Sequence, residues 1–229
     1  MATYVLIHGS SSIAWSWYLV AAELQERGHD VVAPDLPCDD ESAGLTQYAD
    51  TVVDDIGDRT DLIVVGHSFG GYTAPLVCDR VPADLLVLVA GMVPMPGERP
   101  VDWWGNTGYE RAWAEQTERD GETPTDELAL FYHDVPRDLA EEALRRGRGQ
   151  SGTPFEQPWP LAAWPDLPTR ILLCRDDRFF PVEFMRRIAR ERLGIIPDEI
   201  DGGHYLALSH PKELADRLET YRTEGVNHG

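Results

Sequence analysis

Lysine is almost missing from this chain. Lys212 is the only one in 229 residues, which leaves next to no side chain for Schiff-base chemistry. Cysteine is scarce too: Cys38, Cys78 and Cys174 are an odd number with no CxxC spacing. That excludes a disulfide framework and a cysteine zinc site. Cys78 and Cys174 sit in apolar runs and read as small buried hydrophobes, and a reducing cytoplasm is the expected compartment. Positive charge is short, with 20 Lys and Arg against 40 Asp and Glu, a formal net charge of −20. Such a field repels a phosphate backbone, so nucleic acid is not an expected partner. The acidic excess reads as solubility, with only weak support for a preference for neutral or cationic substrates. No apolar run approaches the ~18 residues needed to cross a bilayer, so no membrane span is expected. The opening "MATYVLIHGS" has neither a basic n-region nor a long apolar h-region, so no signal peptide is expected.

What is present alternates. Short apolar runs at "TYVLIHG", "HDVVAPD", "DLIVVG" and "ADLLVLVAG" read as strands. Stretches 15–27, 45–58 and 68–80 between and after them read as helices, the first stopped by Gly28. After Gly91 the alternation lapses into "MVPMPGERPVDWW", which has three prolines and no clear period. Helical stretches near 108–119, 125–133 and 136–147 follow, then a loop with Pro154, Pro158, Pro160 and Pro165. Alternation resumes with "TRILLC", a helix over 181–192, "GIIPDEI" as a strand despite Pro197, and a helix over 211–223. Continuously apolar strands separated by helices imply an α/β fold: a doubly wound, mostly parallel sheet of about six strands, covered on both faces. Residues 1–92 and 166–229 are the expected core. Residues 93–165 are the expected small helical cap, inserted after the fourth strand and lying over the carboxyl ends where such sheets place ligands.

Gly66-His67-Ser68-Phe69-Gly70 follows a strand and opens a helix. That is the context of a nucleophile elbow, in which a sharp strand-to-helix turn strains the serine backbone and exposes its hydroxyl. Side chains two positions either side would clash, so glycine is needed at 66 and 70, and Gly71 lets the helix approach the sheet. Serine is a weak nucleophile without a base. Of seven histidines, His204 stands out: it follows "IDGG" at the end of the last strand, at the sheet's carboxyl edge. His67 should point away from its neighbour Ser68, and His8 should shape the first loop. His29 and His228 read as surface residues, His210 as a helix start, and His133 as solvent-facing or structural, with the pocket as its alternative. An acid must orient the base, and "LLCRDDRFFP" offers Asp176 and Asp177, one buried beside His204 and the other solvated or paired with Arg175 or Arg178. The chain order Ser, Asp, His is that of α/β-hydrolases.

Through "IHGSS", "GHSFGG", "DDRFFP" and "GGHYLALSHP" the chain resembles the α/β-hydrolase superfamily along essentially its whole length. The resemblance implies Asp177 as the acid, since the family's acid commonly stands four residues before a proline, here Pro181. It implies an oxyanion hole from the backbone N–H of Phe69 and, from the first loop, Ser10. "HGSSSIAWSWYLVAAELQERGHDVVAPDLP" and "FYHDVPRDLAEEALRR" are similar to the small serine esterase and hydroxynitrile lyase branch. The lyases carry threonine after the first-loop histidine and lysine after the catalytic one; here Gly9 and Tyr205 stand there. The expectation is therefore a serine hydrolase of a small to medium, neutral carboxylic ester, with Ser68 as nucleophile, His204 as base and no metal or organic cofactor. A serine at the elbow excludes the aspartate-nucleophile dehalogenases and epoxide hydrolases. A cofactor-free lyase or dioxygenase and a slow-turnover ligand receptor stand as alternatives. Trp15, Trp103, Trp104, Phe131, Tyr132 and Tyr205 are expected around the substrate pocket, with Trp159 beside them. Each of the cap aromatics has packing of the cap onto the core as its competing role, and Trp15 and Trp17 have helix packing. Oligomeric state is left open.

Overall fold

The computed structural model describes residues 1–121 and 126–226. Six strands, β1 (Thr3–Ile7), β2 (Asp30–Val32), β3 (Leu62–His67), β4 (Ala83–Val89), β5 (Thr169–Cys174) and β6 (Asp198–Ile200), form one sheet in the order β2-β1-β3-β4-β5-β6. Every pairing is parallel. The expected run "GIIPDEI" shortens to β6, because Pro197 has no N–H to give the ladder.

Side chains alternate across the sheet, and both faces are dry. On one face Tyr4, Leu6, Ile63, Val65, Val87 and Val89 pack under α1 (Tyr18–Glu26) and α11 (Pro211–Val226). On the other, Val5, Ile7, Val64, Leu86, Leu88 and Leu173 meet α2 (Leu45–Ile56), α3 (Gly70–Cys78) and α9 (Val182–Leu193). Burial on both sides explains why the strands read as unbroken apolar runs rather than alternating ones. No helix among the described residues is long and apolar enough to cross a membrane.

Among the described residues, five helices lie between β4 and β5: α4 (Pro100–Thr107), α5 (Tyr109–Asp120), α6 (Glu127–Phe131), α7 (Arg137–Arg146) and α8 (Thr153–Glu156). Helix α4 falls where the sequence shows no period. It is held by its ends: Pro100 sits at the first helical position, Asp102 lies in the first turn, and Gly108 at φ 68° terminates it. Helix α8, inside the proline-rich loop, and α10 (Leu206–Ser209) were likewise not expected from the pattern. Residue 125, the expected start of the 125–133 helix, lies outside the described residues, as does His228.

Where the chain leaves β4, one buried ion pair fastens it. Arg192 on α9 grips Glu98 through both nitrogens, at 2.5 and 2.8 Å, and also donates to Val93 O. Their side chains are 9% and 5% exposed. Asn106 adds a third donor to the carboxylate. Burial alone would raise the Glu98 pKa, yet the hydrogen bonds from Arg192 and Asn106 hold it below the ordinary glutamate range. With the folded value below the unfolded one, this contribution is complete above the ordinary glutamate pKa and is lost as pH falls through the folded value. Removing one partner strands a buried charge, so Arg192→Ala should cost about 3–5 kcal/mol. Scanning calorimetry should show a melting temperature lower by on the order of 10 °C.

Candidate active site

Ser68 follows β3 with φ 52°, a left-handed conformation that a serine adopts only under constraint. Its backbone is held on both sides: its N–H donates to Val89 O, and its carbonyl accepts from Gly71 and Met92. A Cβ on Gly66 would stand 2.8 Å from Gly70 O, and one on Gly70 would stand 2.9 Å from both Ile7 O and His8 O. Gly71 is tighter still, with a Cβ 2.1 Å from Met92 O. The expected steric need for these glycines is therefore met by named atoms.

His204 reaches this serine from the loop after β6. Ser68 Oγ and His204 Nε2 are 3.1 Å apart, and His204 Nδ1 lies 2.8 Å from Asp177 Oδ2. A carboxylate only accepts, so Nδ1 carries the proton and Nε2 turns its lone pair to the hydroxyl. The side chains of His204 and Asp177 are each 2% exposed. The other carboxylate oxygen of Asp177 accepts from the N–H groups of Phe179 and Phe180, which fixes its orientation. Asp176 turns the other way: it is exposed, and its Oδ2 accepts from Gly202 N. Arg175 pairs with Glu199 and Asp201 instead.

Two more histidines serve the same corner. His67 is buried, and burial first, then repulsion from His204, pushes its pKa down to about 3. It is therefore neutral, and its Nε2–H donates to the backbone carbonyl of His204 at 2.9 Å. His8 is buried with its pKa lowered, chiefly by desolvation. Its Nδ1–H donates to Gly9 O at 2.8 Å while Nε2 accepts from Leu36 N–H. In a trans peptide C=O and N–H point opposite ways. Pinning Gly9 O thus directs the Ser10 N–H away from His8. Among the described residues, neither Ser10 N–H nor Phe69 N–H has a protein acceptor.

Ser10, Ser68, Phe69 and His204 border a cavity of about 550 Å³, together with Trp104, Phe131, Tyr132 and Tyr205. Trp15 and Trp103 do not border it, contrary to expectation. Trp103 is fully buried and donates to Val93 O. Trp15 stacks on Tyr18 with the Arg146 guanidinium 5.0 Å from its ring, and packs in the cluster of Phe131, Tyr132 and Tyr205 without itself bordering the cavity. Trp159 is also buried and donates to Tyr72 O, and Trp17 packs under α1. His29, expected at the surface, is tied down between Ala2 N and Glu219. His133 donates to Asp176 O and is structural, as one of its two readings had it. The sequence reading missed Met92, Phe155 and Phe179 on the cavity wall. Phe179 had a signal, since it follows the acid in "DDRFFP"; its ring centroid is 5.4 Å from that of His204. Phe155 had none, because it is brought there only by stacking on Phe69 at 4.4 Å.

This arrangement has relatives. Norfluorocurarine synthase 1 of Strychnos sp. is 25% identical, with the match covering 94% of this chain and 93% of that protein. Methylesterase 7 of Arabidopsis thaliana is 35% identical over a shorter match, 40% of each chain. The crystal structure of polyneuridine aldehyde esterase superposes with a TM-score of 0.79 at 21% identity, covering 96% of this chain and 99% of that one. The alpha/beta hydrolase family model matches residues 4–217. Elbow, sheet order and near-complete coverage agree: the chain belongs to the alpha/beta hydrolase family.

Proposed function

We propose that this protein is a serine carboxylesterase acting on small to medium, neutral esters through Ser68, His204 and Asp177. The observation that carries the reading is the unbroken line of hydrogen bonds from Asp177 through His204 to Ser68 Oγ, at 2.8 and 3.1 Å, opening on the cavity. His204 takes the Ser68 proton as the hydroxyl oxygen attacks the ester carbonyl, and Asp177 stabilises the imidazolium. The N–H groups of Ser10 and Phe69 receive the oxyanion, each donor worth about 3 kcal/mol. His204 then protonates the leaving alcohol. Water enters and gives its proton to the same imidazole as its oxygen bonds to the acyl carbon; the bond to Ser68 Oγ then breaks, His204 returns the proton to Oγ, and the acid leaves. These steps use only side chains and backbone N–H groups of the chain itself.

Residues 93–165 act as a cap on a core of 1–92 and 166–229. Trp104, Phe131, Tyr132 and Phe155 from that stretch border the same cavity as Ser68 and Phe69. The methylesterase relative supports ester substrates over cyanohydrins. So does Gly9, where the lyases of this branch carry threonine: even a Cβ there would lie 3.0 Å from Ser68 Cβ. The three free cysteines support a reducing compartment, the cytoplasm.

Ser68→Ala should abolish turnover of a p-nitrophenyl ester and labelling by a fluorophosphonate probe. In the unmodified protein, mass spectrometry should find the adduct on the peptide carrying Ser68; most of the turnover surviving in a clean Ser68→Ala preparation contradicts the reading. The two adjacent acids separate the roles further. Asp177→Asn should lower kcat on the order of 10⁴-fold, because it disturbs the tautomer of His204. Asp176→Asn should stay within about tenfold, since it meets only the backbone of Gly202.

A further inference from the structure

The loop that carries His204 has little of its own to define it. Gly202 and Gly203 precede the histidine, and Gly202 has φ 131°, so neither a side chain nor an ordinary backbone preference sets where residue 204 goes. Its position comes from anchors outside the loop. Asp176 holds Gly202 twice, accepting from its N–H through Oδ2 and donating its own N–H to the Gly202 carbonyl, both at 3.0 Å. His67 holds the carbonyl of His204. Between them stands the peptide N–H of Gly203, and it donates to Asp134 Oδ2 at 2.6 Å.

Asp134 is not part of the core sheet. It lies between α6 and α7 in the segment that separates β4 from β5. Its side chain is 16% exposed, and its Oδ1 is buried with no hydrogen-bond partner. His210 Nδ1 is 3.6 Å from the carboxylate, beyond hydrogen-bond reach. A Cβ on Gly203 would fall 2.6 Å from Asp134 Oδ1 and 2.7 Å from His133 Nε2, so the glycine backbone is pressed directly against this segment. A half-buried carboxylate spending its hydrogen bonding on one peptide N–H is costly unless that peptide must be held.

We propose that Asp134 is a positioning residue: it latches the Gly203 peptide and so sets the distance and direction of the His204 imidazole to Ser68. Asp134 and His67 bracket His204 from its two ends, one on the preceding N–H and the other on its own carbonyl. The segment between β4 and β5 thereby does more than cover the cavity, because it completes the base. This proposal rests on the serine-hydrolase reading above.

The test measures the rate of Ser68 phosphonylation by a fluorophosphonate, which needs the activated serine but no cognate substrate, alongside kcat and KM on a p-nitrophenyl ester. Asp134→Ala should slow phosphonylation and lower kcat about 20-fold with KM within about twofold, whereas Asp134→Asn, whose amide oxygen still accepts from Gly203, should lose only about threefold. Circular dichroism and thermal melting establish which variants fold. If the alanine variant does not, the asparagine variant decides alone: a threefold loss in phosphonylation supports the latch, and a wild-type rate overturns it. A wild-type phosphonylation rate in folded Asp134→Ala, equal losses in the two variants, or a loss confined to KM each overturn the latch and leave the hydrolase reading standing. Absence of labelling at Ser68 in the unmodified protein removes both.

Discussion

The chain must reverse direction at once after β3, and the rest of the structure is arranged around that reversal. Ser68 is held at φ 52°, a conformation costing on the order of 1–3 kcal/mol. It persists because its own N–H and carbonyl are bonded to Val89, Gly71 and Met92, and because glycines at 66, 70 and 71 let three backbone segments meet with no side chain between them. The result is a hydroxyl lifted above the carboxyl edge of the sheet, at the point where strand order changes direction around β1 and β3. A doubly wound sheet leaves its crevice there, since the connections on either side depart to opposite faces.

A hydroxyl placed this way can be activated only if its partners arrive with comparable precision, and the groups that meet it come from distant parts of the chain. His204 and Asp177 sit on the loops after β6 and β5, and each is positioned by backbone groups rather than by its own helix or strand. Buried neutral histidines supply much of the support. His8 and His67 are kept uncharged by desolvation, which makes each a donor at one nitrogen and leaves the other free to accept. One orients the first-loop peptide next to Ser68, and the other steadies the His204 backbone.

The segment between β4 and β5 is coupled to the core through polar contacts as much as through its aromatic residues. The Glu98–Arg192 pair fastens its entry, Gln150 reaches the first loop through Ser10 and Ser11, and Asp134 meets the last one. Arginine suits these joints better than lysine, because a planar fork can satisfy two carboxylate oxygens together. Many of the remaining charges pair locally on helix surfaces, as in Arg137–Glu141 and Arg187–Glu191, where each pair contributes little on its own.

The order of elements, the parallel sheet, the elbow at Ser68 and the choice of His204 among seven histidines were legible in the linear sequence. They depend on local rules: apolar runs of strand length, glycine where backbones approach, and chemistry at strand ends. The residues alone left Asp176 and Asp177 open, and only the family resemblance pointed to Asp177; its hydrogen bonds to Phe179 and Phe180 had no mark in the sequence. Helix α4 was hidden because its formation relies on Pro100, Asp102 and Gly108 at its ends rather than on a repeating apolar face. Trp15 and Trp103 looked like pocket residues because an aromatic side chain reads the same whether it packs or lines. Only tertiary packing turned Trp103 inward and brought Phe155 onto Phe69 instead. Hydrophobic period and backbone sterics act over a few residues and leave their mark in sequence. The direction of a side chain at a cavity, or of the Asp134 carboxylate towards Gly203, is set by neighbours tens of residues away and exists only once the chain has folded.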